Sequence, residues 1–116
     1  MQKDELIRMR HMLDAARNAI TFADGKSRGD LDQNPMLTFA LVRAVEVIGE
    51  AASKVSRSSQ ERFHEIPWPE IIGTRHRLIH GYDDINLDIL WETVTVALPP
   101  LVQALERIIT SESDLC

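Results

Sequence analysis

An all-α fold, an antiparallel bundle of four or five up-and-down helices, is what this sequence predicts, and three observations predict it. Apolar residues recur three and four positions apart over long windows. Asn, Pro and Gly stand where helix ends use them, and no stretch of useful length shows the alternation of a strand. At 116 residues the chain suits one domain spanning 1–116, long enough to bury roughly two thirds of the surface that its unfolded form would expose.

Leu6, Met9, Leu13, Ala16 and Ile20 form one stripe of a first amphipathic helix over about residues 4–22, with Arg8, Arg10, Asp14 and Arg17 lying off it. Residues 25–34 are polar, include two glycines and read as a loop. Asn34 then offers a side-chain oxygen as N-cap and Pro35 a preset φ for a second helix running to about Val55. Its expected core stripe is Phe39, Val42, Val45, Ile48, Ala52 and Val55. Ala44, Gly49, Ala51 and Ala52 are small enough to let another helix approach, and Glu50 among them is expected to be partly buried and paired with an arginine.

Residues 56–66 read as a polar connection with His64 at the surface. A third helix opens at Pro67-Trp68-Pro69, anchors through Trp68, carries Ile71, Ile72, Leu78 and Ile79 inward and stops near Gly81. Gly73 inside it is expected to mark close approach by another backbone. Asn86 caps a last helix reaching about Thr110, with Leu90, Val94, Ala97, Leu101, Leu105 and Ile108 inward and a kink at Pro99-Pro100, while residues 111–116 are expected to fray.

Composition excludes several classes of function. The single cysteine, Cys116, has no partner for an intrachain disulfide, which suits a reducing cytoplasm. The start of the chain is not a secretory leader, and no apolar run approaches the roughly 20 residues of a membrane span, so a cytoplasmic protein without membrane contact is expected. A net charge of -5 argues against broad coating of nucleic acid, though not against one local basic groove.

Residues 75–82, Arg-His-Arg-Leu-Ile-His-Gly-Tyr, gather two arginines, two of the four histidines and the only tyrosine. On a helix, His76 and His80 lie one turn apart, and Arg75 and His80 are separated by about 140°. Four readings follow. Arg75 and His80 fit a metal-independent ribonuclease pair: RNA supplies its own 2′-hydroxyl nucleophile, histidine moves protons near neutral pH, and arginine forks onto phosphate oxygens. One helix surrounds a phosphate poorly, whereas two copies facing each other could enclose it. His76 and His80 also have metal-ligand spacing, but Arg77 stands where a metalloprotease needs its glutamate and would repel a cation, so no metal is expected. The basic helix could instead bind a nucleotide or RNA phosphate without chemistry. In the plain structural reading Arg75 and Arg77 pair with acidic neighbours, and His80 and Tyr82 close the helix end.

The pattern Arg-x-x-x-x-His-x-Tyr at Arg75, His80 and Tyr82 resembles the signature of HEPN-domain ribonucleases, specifically the HepT toxins. Ile48-Gly49-Glu50-Ala51-Ala52, the approach from Ile66-Pro67-Trp68 through Ile72-Gly73, and Leu90-Trp91 with Leu98-Pro99 and Leu101 are similar too, so the likeness covers most of the chain from Phe39 to Leu105. The resemblance implies a homodimeric HEPN-like bundle acting as the toxin of a type VII-like toxin-antitoxin pair. It implies catalytic Arg75 and His80, a supporting His76, no cofactor, RNA as substrate, and Tyr82 as the residue that an MNT-type nucleotidyltransferase antitoxin modifies with AMP. A phosphodiester-linked nucleotide there would bring negative charge and bulk to a site meant for substrate phosphate. The alternative is a noncatalytic helical dimer that holds a nucleotidyltransferase partner or its nucleotide.

Overall fold

The frame is built on α1 (Lys3–Ala23), whose inward face is Met9, Met12, Leu13, Ala16, Ala19 and Ala23. The alanines on that face bring α3 (Pro35–Ser53) close, and α1 packs mainly on α3 and then on α7 (Leu98–Asp114). A computed structural model describes residues 2–79 and 84–114. Within them the architecture is an all-helical bundle, and no named strand occurs among the described residues.

Local chemistry sets the helix starts. Asn34 Oδ1 accepts the Leu37 N–H at 3.1 Å, and Pro35 opens α3 as its sequence requires. Residues 25–34, expected as loop, contain the short helix α2 (Asp30–Gln33), tied down where the Thr38 hydroxyl donates to Leu31 O at 2.9 Å. The polar connection likewise folds into α4 (Arg57–Arg62), capped by Ser56. Glu5 reaches over from α1 and accepts both the Ser56 N–H at 2.6 Å and the Ser59 hydroxyl at 2.8 Å.

Two core expectations change. Phe39 is 66% exposed, because α3 turns Leu41, Val45, Ile48 and Ala52 inward and Phe39 lies across the helix from them. Gly73 meets no close backbone: a Cβ there would have nothing within 4 Å. The close approach occurs at Gly49, where a Cβ would stand 3.4 Å from Ile71 O, so α3 and α5 (Trp68–Leu78) pack tightly at that point. Trp68 is buried as expected, and its Nε1–H donates to Phe63 O at 3.1 Å.

The last helix contains a register shift. It begins as α6 (Leu87–Glu92), capped by Asn86, widens into a π-helical turn at Thr93–Ala97 and continues as α7. Pro99 and Pro100 have no N–H for the carbonyls of Thr95 and Val96, and the wider turn accommodates them without ending the helix. It also takes up extra residues, so Leu98 is buried where Ala97 was expected and Ala97 faces outward. Nor does the C-terminus fray at residue 111. The helix runs to Asp114 because Glu112, 3% exposed, is held in a two-pronged pair with Arg62 at 2.9 and 3.2 Å.

Candidate active site

The last turn of α5 carries Arg75, His76 and Arg77, three groups suited to the negative end of a helix. The helix ends at Leu78, three residues short of the expected stop at Gly81. Leu78 is fully buried, and Ile79 turns extended to form an antiparallel bridge with Ile85 while the Asn86 N–H donates to Leu78 O at 2.8 Å. Helical angles therefore no longer relate Arg75 or His76 to His80, or Arg75 to Tyr82. His80, Gly81, Tyr82 and Asp83 lie outside the described residues, and so does the expected juxtaposition of Arg75 with His80 and Tyr82.

The two arginines part company. Arg77 turns back along its own helix, its Nη2 donating to Glu70 O at 3.2 Å and to the Thr74 hydroxyl at 2.9 Å, beside a mostly apolar cavity of about 90 Å³ lined by Val45, Ile48, Ile71 and Leu101. Arg75 points the other way. Its Nε lies 3.3 Å from Glu46 Oε2 on α3, with the arginine side chain 59% exposed and the glutamate 24%. His76 is exposed beside it.

Glu46 is the residue that the sequence reading missed. Glu50, on which that reading settled, is exposed on the next turn of α3 near Arg8, His11 and Lys54 and makes none of the described ion pairs. The signal was Gly49: a glycine that lets α5 touch α3 implies that a carboxylate one turn earlier faces the end of α5, where the arginines lie. An exposed pair of this kind contributes about 0.2–1 kcal/mol, so its consequence is where it puts the guanidinium rather than how firmly it holds the fold.

Met36, Phe39, Arg43, Glu46 and Glu50 follow one another by three and four along the outer face of α3. Met36 and Phe39 are large exposed apolar groups, and Phe22 from α1 lines a groove beside them with Ala40 and Val47. Among the described residues no group of three or more His, Cys, Asp or Glu side chains could hold a metal ion, and no helix is long and apolar enough to cross a membrane.

Residues 12–108 match the family described as Ribonuclease HepT-like. The chain belongs to that family. A protein of Caldanaerobacter subterraneus subsp. tengcongensis named as a candidate RNase is 36% identical over 90% of this chain and 93% of its own length. One of Methanocaldococcus jannaschii with the same kind of name is 33% identical over 82% and 87%. The probable ribonuclease HepT of Thermococcus cleftensis is 37% identical over 60% of this chain and 64% of its own length. No solved structure matches. At the end of α5, Arg75 pairs with α3 and Arg77 with its own helix.

Proposed function

We propose that this HepT-like chain is a metal-independent endoribonuclease, the toxin of a toxin-antitoxin pair, with Arg75 as phosphate clamp and His80 as proton-transfer group. The observation that carries the reading is the presentation of Arg75: both arginines ending α5 are exposed, but Arg77 folds back onto Glu70 and Thr74 of its own helix, whereas Arg75 leaves its helix and is held by Glu46. The end of a helix at its carbonyl pole does not attract phosphate, so an anion drawn here answers to the guanidinium. The RNA 2′-oxygen forms a bond to phosphorus, the bond from phosphorus to the 5′-oxygen breaks, and a 2′,3′-cyclic phosphate and a 5′-hydroxyl result. One imidazole takes the 2′-hydroxyl proton and another delivers a proton to the leaving oxygen. Two copies supply two His80 side chains.

A second copy is also favoured by the outer face of α3. Phe39 stands seven residues, about 10 Å, from Glu46 on one stripe, so a copy seated on the apolar end of that stripe lies next to Arg75. The nucleotidyltransferase partner would silence the site at Tyr82. The phenol oxygen attacks the α-phosphorus of ATP, pyrophosphate leaves, and the phenolic proton passes to a base of the partner. The exposed apolar face equally suits a noncatalytic dimer that holds such a partner, and one residue separates the two. Induced without its partner, the protein should arrest growth and cut RNA in a way that His80→Ala removes with fold and dimer intact. Retained cleavage by His80→Ala sinks the mechanism. After coexpression with the partner, an intact mass without an AMP-sized increment on Tyr82 removes the switch.

A further inference from the structure

The close contact of α3 and α5 at Gly49 and Ile71 fixes what stands on either side of it. The helices run antiparallel there, so one turn back along α3 and one turn on along α5 bring Glu46 and Arg75 together. The pair uses a single carboxylate oxygen and only the Nε edge of the guanidinium, at 3.3 Å. No other described residue hydrogen-bonds to Arg75, so its Nη1 and Nη2 edge is turned to solvent rather than committed to the protein. That edge is the fork that matches two oxygens of a phosphate. The less exposed member of the pair is the carboxylate, which sits on the helix that anchors the bundle. Glu46 is thus the fixed point and Arg75 the presented group.

We propose that Glu46 is a positioning residue for RNA cleavage: it holds Arg75 by Nε so that the two terminal nitrogens face the scissile phosphate. The inference rests on the ribonuclease reading. A long arginine side chain at 59% exposure samples many rotamers when untethered, and a clamp that must find its geometry at each encounter loses rate rather than fold. A carboxylate this near a phosphate also repels it, so a purely electrostatic role would have the opposite sign. Removing Glu46 would then strengthen RNA binding and speed cleavage.

The test is cleavage of a single-stranded RNA by the full-length protein, with binding of a 2′-deoxy-substituted, uncleavable version of the same strand as a second readout. Glu46→Ala should lower kcat/KM by about 10- to 100-fold, mostly in kcat, with unchanged thermal melting. Glu46→Gln keeps an oxygen for Nε and should recover much of the loss. In an Arg75→Lys background, which has no Nε–H fork to orient, Glu46→Ala should change the residual rate by less than about twofold, whereas a role in the fold would lower it again. Glu46→Ala equal to or faster than the wild type, Glu46→Gln no better than Ala, or a second full loss in the Arg75→Lys background each overturns the proposal. If the wild-type protein cleaves no RNA, the ribonuclease reading fails and takes this inference with it. If it cleaves and Glu46→Ala cleaves as well, the inference fails alone.

Discussion

The Arg62–Glu112 and Arg75–Glu46 pairs each join two helices of this bundle, and they are built differently. In the Arg62–Glu112 pair the carboxylate is 3% exposed, both of its oxygens are engaged at 2.9 and 3.2 Å, and the guanidinium also lies over the Phe63 ring at 4.8 Å. In the Arg75–Glu46 pair one oxygen meets one nitrogen at 3.3 Å and the carboxylate is 24% exposed, although the two arginines are exposed to a similar degree. A fork closed on a buried carboxylate spends its hydrogen-bonding capacity on the protein. A guanidinium held by one edge keeps that capacity for something else. The same two residue types therefore make a clasp at the end of α7 and a presented cation at the end of α5.

Exchanging what is removed breaks the comparison most sharply. Arg75→Ala should lower RNA cleavage by about 10²–10³-fold, the usual cost of removing a donor that faces developing charge, and should move the melting temperature by no more than a degree or two. Arg62→Ala should do the reverse. It takes the two-pronged partner from a buried carboxylate, costing about 1–3 kcal/mol of stability, while the folded fraction cleaves at the wild-type rate. Denaturant unfolding and cleavage assays on both variants read the four values. Arg75→Ala that unfolds the bundle, or Arg62→Ala that abolishes cleavage by folded protein, would show that the two pairs are not divided in this way.

How much of this contrast was legible beforehand depended on the range of the interaction. Caps, periodic stripes and the all-helical class are local, and Asn34, Pro35, Trp68 and Asn86 behave as their neighbours in the chain require. The partners of Arg62 and Arg75 stand 50 and 29 positions away, and nothing in the spacing names Glu112 or Glu46. Glu112 reads as part of a frayed tail because its partner Arg62 lies on α4, far away in the chain. The end of α5 was misplaced for a related cause: Gly81 is the conventional stop, but the bridge of Ile79 with Ile85 draws the chain out of the helix sooner. Phe39 was assigned to the core on hydrophobicity, whereas the packing of α1 and α5 fixes which face of α3 turns inward.

That exposed phenylalanine gives a smaller and concentration-dependent effect. Phe39→Asp leaves Arg75 and Glu46 untouched and adds a charge to the apolar end of their stripe. It should weaken self-association by about tenfold or more, within the range of losing one aromatic anchor. Cleavage should therefore fall at low protein concentration and recover at high concentration, followed by light scattering alongside the assay. Equal loss at every concentration would place Phe39 outside the contact between copies.

The smallest expected effect concerns the other end of α4, the helix whose last turn carries Arg62. Glu5 holds its first turn, and the hydrogen-bonding groups of Ser56, with the Ser59 hydroxyl, outweigh the opposing cost of burial and keep the Glu5 carboxyl below its ordinary value of 4.5. A carboxyl that ionises more readily in the folded state stabilises that state at every pH above the unfolded value. The contribution is lost as pH falls through the lower folded value. Glu5→Gln should therefore lower stability modestly and evenly at neutral pH, and the gap from wild type should close as the pH drops below about 4.5. Arg62→Ala removes the link of α4 to α7, not its link to α1, so in that background Glu5→Gln should show the same closing gap. A gap that instead widens toward acid would mean that Glu5 is easier to protonate in the folded protein, the opposite of what its two hydrogen bonds at the start of α4 require.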